Sequence, residues 1–181
     1  DVTAVGYACT GIGVSAEYAD TSYPSVGKIS ITYCNVSETM CIGIKVKASC
    51  FVHVMGNQVE NWETVGPETT IIGGGIHLNN GGGYDISHNT LRNDPSVNVT
   101  STNAVNVIGY TIDTYAQPLT SSMFDISHNR VYGTNAQAYR VAEQSRQVTM
   151  SSNSALSCCG HTVVANGISN GIDVSPNGIF V

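Results

Sequence analysis

Two stretches decide how this chain folds: Tyr84-Asp85-Ile86-Ser87-His88-Asn89-Thr90-Leu91 and Phe124-Asp125-Ile126-Ser127-His128-Asn129-Arg130-Val131. Both fit one template: apolar, x, apolar, x, x, Asn, x, apolar. Moved along the chain, the template recurs. Val52, Val54, Asn57 and Val59 fit it, as do Val148, Met150, Asn153 and Ala155, and Ile172, Val174, Asn177 and Ile179. Towards the N-terminus it fits Ile29, Ile31 and Val36 with Cys34 in the Asn position, and Val5, Tyr7 and Ile12 with Thr10 there. The anchors fall at 10, 34, 57, 89, 129, 153 and 177, with spacings of 24, 23, 32, 40, 24 and 24. The common spacing defines a basic coil. The two longer ones are coils with inserted loops, expected near residues 60–72, 92–103 and 109–122.

A second motif precedes the Asn. It reads Gly43-Ile44-Lys45-Val46, Gly75-Ile76-His77-Leu78 and Ala138-Tyr139-Arg140-Val141, with Ala104-Val105-Asn106-Val107 in the longest coil. Alternation with period two turns one face of each strand inward. A single coil cannot bury that face; coils stacked about 4.8 Å apart bury it as a continuous column. The bend between paired strands needs a residue tolerant of left-handed backbone angles, for which Asn is the best choice after Gly. Stacked Asn side chains can also hydrogen-bond from coil to coil. The expectation is one all-β domain over residues 1–181, a right-handed parallel β-helix of about seven coils with an Asn ladder. The ladder should weaken at Cys34 and Thr10. The competing architecture is a β-sandwich; the missing Leu pattern excludes a leucine-rich repeat.

Composition agrees. Charged residues make up 11% of the 181 and hydrophobic residues 41%. That is far below the charge of an average globular chain, about 25%, yet too apolar for a disordered tract. A net charge of −6 without a basic stripe argues against nucleic acid. No apolar run approaches a membrane span of about 20 residues, so no membrane insertion is expected. The start at Asp1 without Met reads as an excised fragment or a processed product. The six cysteines, Cys9, Cys34, Cys41, Cys50, Cys158 and Cys159, read as free, apolar packing residues, with disulfides as the alternative. Asn35-Val36-Ser37 and Asn98-Val99-Thr100 match the glycosylation pattern, a match that often arises by chance.

The segments Asp85-Ile86-Ser87-His88-Asn89 and Asp125-Ile126-Ser127-His128-Asn129 resemble the repeats of the pectate-lyase-like β-helix superfamily. That group includes phage tailspikes, polysaccharide lyases, polygalacturonases and NosD-type periplasmic proteins. The resemblance covers nearly the whole chain. It implies three strands per coil, with the Asn between the second and third. The polygalacturonase elements Asn-Thr-Asp, Asp-Asp and Gly-His-Gly are absent, and so are the pectate lyase elements. The resemblance therefore points to a tailspike. It implies a homotrimer in a virion tail, with a secreted or cell-surface protein as the alternative.

Three groups of residues could carry chemistry. Lys45, His77, Asn106 and Arg140 should face outward on successive first strands, a column suited to an acidic polysaccharide. The long loops carry Glu60, Trp62, Glu63 and Glu68, then Asp94, then Tyr110, Asp113 and Tyr115. There Trp62, Tyr110 and Tyr115 could stack against sugars and Glu60, Glu63 and Asp94 could serve as acid and base. Asp85 and Asp125 share one template position on adjacent coils, roughly 5 Å apart by rung spacing, near the separation of a retaining glycosidase pair. His53 stands one rung earlier, and His88 and His128 should stack beside the Asn ladder. Each group also has a structural reading: a solvated face, a loop clamp or a turn-forming ladder. An Asp and His cluster could hold a divalent ion, but no metal or cofactor is assigned. The functions left open are a tailspike-type depolymerase of a bacterial surface polysaccharide, a non-catalytic structural or adhesive module, and a secreted polysaccharide lyase or epimerase.

Overall fold

A computed structural model of the chain describes residues 2–3, 10–16, 28–39, 42–48, 51–62, 74–81, 83–93, 103–109, 123–133, 138–142, 148–156, 163–165, 172–174 and 178–180. Its strands are β1 (Val2–Thr3), β2 (Thr10–Ala16), β3 (Lys28–Thr32), β4 (Asn35–Thr39), β5 (Ile42–Ala48), β6 (Phe51–Met55), β7 (Gln58–Trp62), β8 (Gly74–Gly81), β9 (Gly83–Ser87) and β10 (Thr90–Arg92). They continue as β11 (Asn103–Gly109), β12 (Met123–Ser127), β13 (Arg130–Tyr132), β14 (Tyr139–Ala142), β15 (Val148–Ser151), β16 (Ser154–Leu156), β17 (Val163–Ala165), β18 (Ile172–Val174) and β19 (Gly178–Phe180).

The strands form three parallel sheets that the chain visits in rotation. The first holds β2, β5, β8, β11, β14 and β17, the second β3, β6, β9, β12, β15 and β18, and the third β1, β4, β7, β10, β13, β16 and β19. Among the described residues the chain thus makes six full passages, preceded by the single strand β1. The template register holds across the second sheet, where Ile31, Val54, Ile86, Ile126 and Met150 are successive partners. All five are buried. Val36, Val59, Leu91, Val131 and Ala155 form the matching buried column of the third sheet, and Ile44, Ile76, Val105 and Tyr139 that of the first. Each Val, Leu, Ile or Met among them is worth about 1.5–3 kcal/mol on burial, and no single passage could supply the column.

The turn from the second to the third sheet is held by the Asn ladder. Asn89 shows the full pattern. Its Nδ2 donates to the carbonyl of Val54 (2.9 Å) and to Oδ1 of Asn129 (2.9 Å). Its Oδ1 accepts from the backbone N–H of Asn57 (3.0 Å) and from Nδ2 of Asn57 (2.9 Å). Two donors and two lone pairs are thus all used, which is why the amide tolerates complete burial. Asn129 repeats the arrangement with Ile86, Asn153 and Asn89. At Cys34 the backbone N–H still donates to Asn57 Oδ1 (3.0 Å), but the thiol turns to the carbonyl of Thr32 (3.4 Å). The thiol is free. The ladder thus loses its side-chain rung there.

Four expectations are corrected. Thr10 is not an anchor: it lies in β2 and pairs with Ile42 in the first sheet. The left-handed residue is not the Asn but the residue before it: Tyr33, Gly56, His88, His128 and Ser152 have φ of 55°, 68°, 58°, 56° and 54°. The preceding residue makes the bend, which frees the Asn side chain to point inward into the ladder. Glu60 and Trp62 belong to β7 rather than to an inserted loop. Trp62 is also fully buried rather than exposed, because the positive φ of Asn61 (49°) breaks the alternation and turns the next residue into the core. Asn177, the cysteines other than Cys34, and residues 63–73, 94–102 and 110–122, which carry most of the expected loop insertions, lie outside the described residues.

Candidate functional site

The template position between the two inward residues of each second-sheet strand gives an outward column. Ser30, His53, Asp85, Asp125 and Thr149 are successive register partners on β3, β6, β9, β12 and β15. Asp173 follows on β18. Parallel pairing sets their Cα atoms about 4.8 Å apart. Within the column, Nδ1 of His53 lies 2.7 Å from Oδ2 of Asp85. The side chains are 16% and 32% exposed, so the contact is partly shielded from water. Asp125, one rung on, is exposed. The two aspartates expected to be neighbours are neighbours, but their surroundings differ: one is held by an imidazole and the other faces solvent.

The first-sheet column also has the expected register: Lys45 pairs with His77, His77 with Asn106 and Asn106 with Arg140. It is not a uniformly open face. Lys45 is exposed, but His77 is 5% exposed. Lys45 follows Gly13, which has no side chain. The side chains of Asn106 and Arg140 lie outside the described residues, as do Glu63, Asp94, Tyr110 and Tyr115. The expected sugar platform at Trp62 is corrected, since a buried indole offers no face to a ligand. Glu60 is exposed on the third sheet, where it pairs in register with Arg92. It thus stands on a different sheet from Asp85 and Asp125.

A second feature runs along the turn before the ladder. The rings of His88 and His128 stack with centroids 4.8 Å apart and planes 4° from parallel, as their shared template position leads one to expect. One passage further towards the N-terminus, the exposed ring of Tyr33 packs against Gly56: a Cβ there would come within 2.7 Å of two ring carbons. Among the described residues no three His, Cys, Asp or Glu side chains gather as metal ligands.

Sequence reasoning passed over Ser30 and the direct contact between His53 and Asp85. Both were within reach of the template, because Ser30 occupies the same slot as His53, Asp85 and Asp125. No family model, curated protein or solved structure matches the chain.

Proposed function

We propose that the chain is a right-handed parallel β-helix of the pectate-lyase-like kind and that it binds and depolymerises a bacterial surface polysaccharide, as tailspikes do. Right-handedness is supported by the near-universal hand of parallel crossover connections. The observation that carries the function is the second-sheet column. It sets two aspartates on adjacent rungs, Asp85 half-buried against His53 and Asp125 exposed. General acid–base cleavage of a glycosidic bond needs two carboxyls in unlike environments, about 5 to 5.5 Å apart in retaining enzymes. Lys45, exposed on the first sheet, suits an anionic chain. A homotrimer in a virion tail is the setting this reading implies.

A second reading is a non-catalytic shaft or adhesive module. The burial of Trp62 and His77 favours it, since two of the expected sugar contacts are withdrawn.

The deciding experiment incubates the protein with a panel of capsular and O-antigen polysaccharides and follows reducing ends and the absorbance of unsaturated uronates. New reducing ends without absorbance are expected, falling by about 100-fold or more in Asp125→Asn. Absorbance would mean a lyase. Silence across the panel, with binding retained, would sink the enzymatic reading and leave the adhesive one.

A further inference from the structure

The outward column of the second sheet holds more than two carboxylates. Ser30, His53 and Asp85 are consecutive partners on three adjacent parallel strands. Ser30 is exposed. Asp85 engages the ring through Nδ1 at 2.7 Å. With Nδ1 taken up by the carboxylate, Nε2 is the ring nitrogen left to act as a base towards a neighbouring hydroxyl. That is the order a nucleophilic site requires: hydroxyl, imidazole, and a carboxylate fixing the tautomer. A rung spacing of about 4.8 Å puts Ser30 and Asp85 on opposite sides of the imidazole, each one strand away.

The geometry points to an acyl-transfer triad, Ser30 as nucleophile, His53 as base and Asp85 as its orienting group, that hydrolyses carboxylic esters of the O-acyl-sugar class. Ser30 Oγ bonds to the ester carbonyl carbon and its proton passes to His53 Nε2. The carbon–oxygen bond to the alcohol then breaks, and the alcohol leaves with that proton. Water next attacks the acyl carbon, giving a proton to Nε2, and the acid departs as Ser30 Oγ recovers it. Ester and water become acid and alcohol, with no other reactant. That the ester sits on a sugar rests on the polysaccharide reading above; the triad does not.

The test uses the whole chain. A fluorophosphonate probe, followed by peptide mass mapping, should mark Ser30. Labelling and p-nitrophenyl acetate hydrolysis should vanish in Ser30→Ala, a substitution at an exposed position. Both should slow by about 100-fold or more in His53→Gln and Asp85→Asn, with circular dichroism and Tm held. Acetate released from an O-acetylated polysaccharide without new reducing ends supports the triad even where chain cleavage fails. Labelling at another residue, or hydrolysis in Ser30→Ala as fast as in the parent, overturns it. So do new reducing ends from an O-acetylated chain with no acetate and no label on Ser30, an outcome that leaves the depolymerase reading standing.

Discussion

A single side-chain amide shows how narrow the tolerances are inside this stack. Asn89 is fully buried and all four of its hydrogen-bonding positions are occupied. Asn89→Ala would orphan the backbone N–H of Asn57 and remove one bond each from the amide of Asn57, the carbonyl of Val54 and Oδ1 of Asn129, while Asn57 Nδ2 keeps Ile31 and Asn129 Oδ1 keeps the N–H of residue 89. An orphaned buried N–H costs about 1–3 kcal/mol and each of the three other lost bonds about 0.5–1.5 kcal/mol, so a loss of about 3 kcal/mol is expected in denaturant unfolding. Gln58→Ala, at the exposed position that follows Asn57, should stay within about 0.5 kcal/mol of the parent. Equal effects at the two sites would refute the ladder as a source of stability. The need for an amide at this position is plain in the repeat. The backbone role of its neighbour is not: His88 and His128 adopt the left-handed region at φ 58° and 56°, a conformation that costs ordinary residues about 1–2 kcal/mol. Nothing in the composition marks them for it. The bend falls there because the Asn must point inward, and that is a demand of the neighbouring passages.

Strands meet the same kind of demand where they lie closest. In β5, Gly43 sits beside Gly11 on one rung and Gly75 on the next. A Cβ on Gly43 would come within 2.4 Å of Val59 Cγ1 and 2.6 Å of the carbonyl oxygen of Gly75. The latter is backbone within a paired strand and cannot move aside alone. Gly→Ala usually stabilises a chain by reducing unfolded-state entropy, by about 0.4–1 kcal/mol. Here Gly43→Ala should instead destabilise by about 2–3 kcal/mol, as overpacking does; a raised denaturation midpoint would show that the contact between the first and third sheets is looser than described. The glycine was readable as part of the Gly-Ile-Lys-Val motif, but its reason was not, because Val59 and Gly75 are 16 and 32 residues away. Trp62 teaches the same lesson. As the only Trp, in a stretch without the template, it reads as an exposed platform. One positive φ at Asn61 puts it in the core.

Among the described residues each passage pairs with the passages before and after it, so stability should follow position in the stack. Hydrogen exchange read by mass spectrometry should find the slowest amides in peptides covering Asn57, Asn89 and Asn129, whose N–H groups donate to buried side-chain oxygens. Faster exchange is expected at the two-residue strand β1. Early exchange of the ladder amides would contradict a stack stabilised through its centre. The sequence by itself determined the period, the inward columns, the Asn ladder and the adjacency of Asp85 and Asp125. All of these follow from alternation within a strand and from repetition between strands, which are properties of residue order. Only the tertiary structure decided which residue bends, where the glycines are obligatory, that Trp62 and His77 are buried, and that His53 reaches Asp85 rather than solvent. Those outcomes depend on what one passage meets in the next, 23 to 40 residues away, and on bends that reset which way a side chain faces. A one-dimensional pattern records the repeat but not these contacts across it.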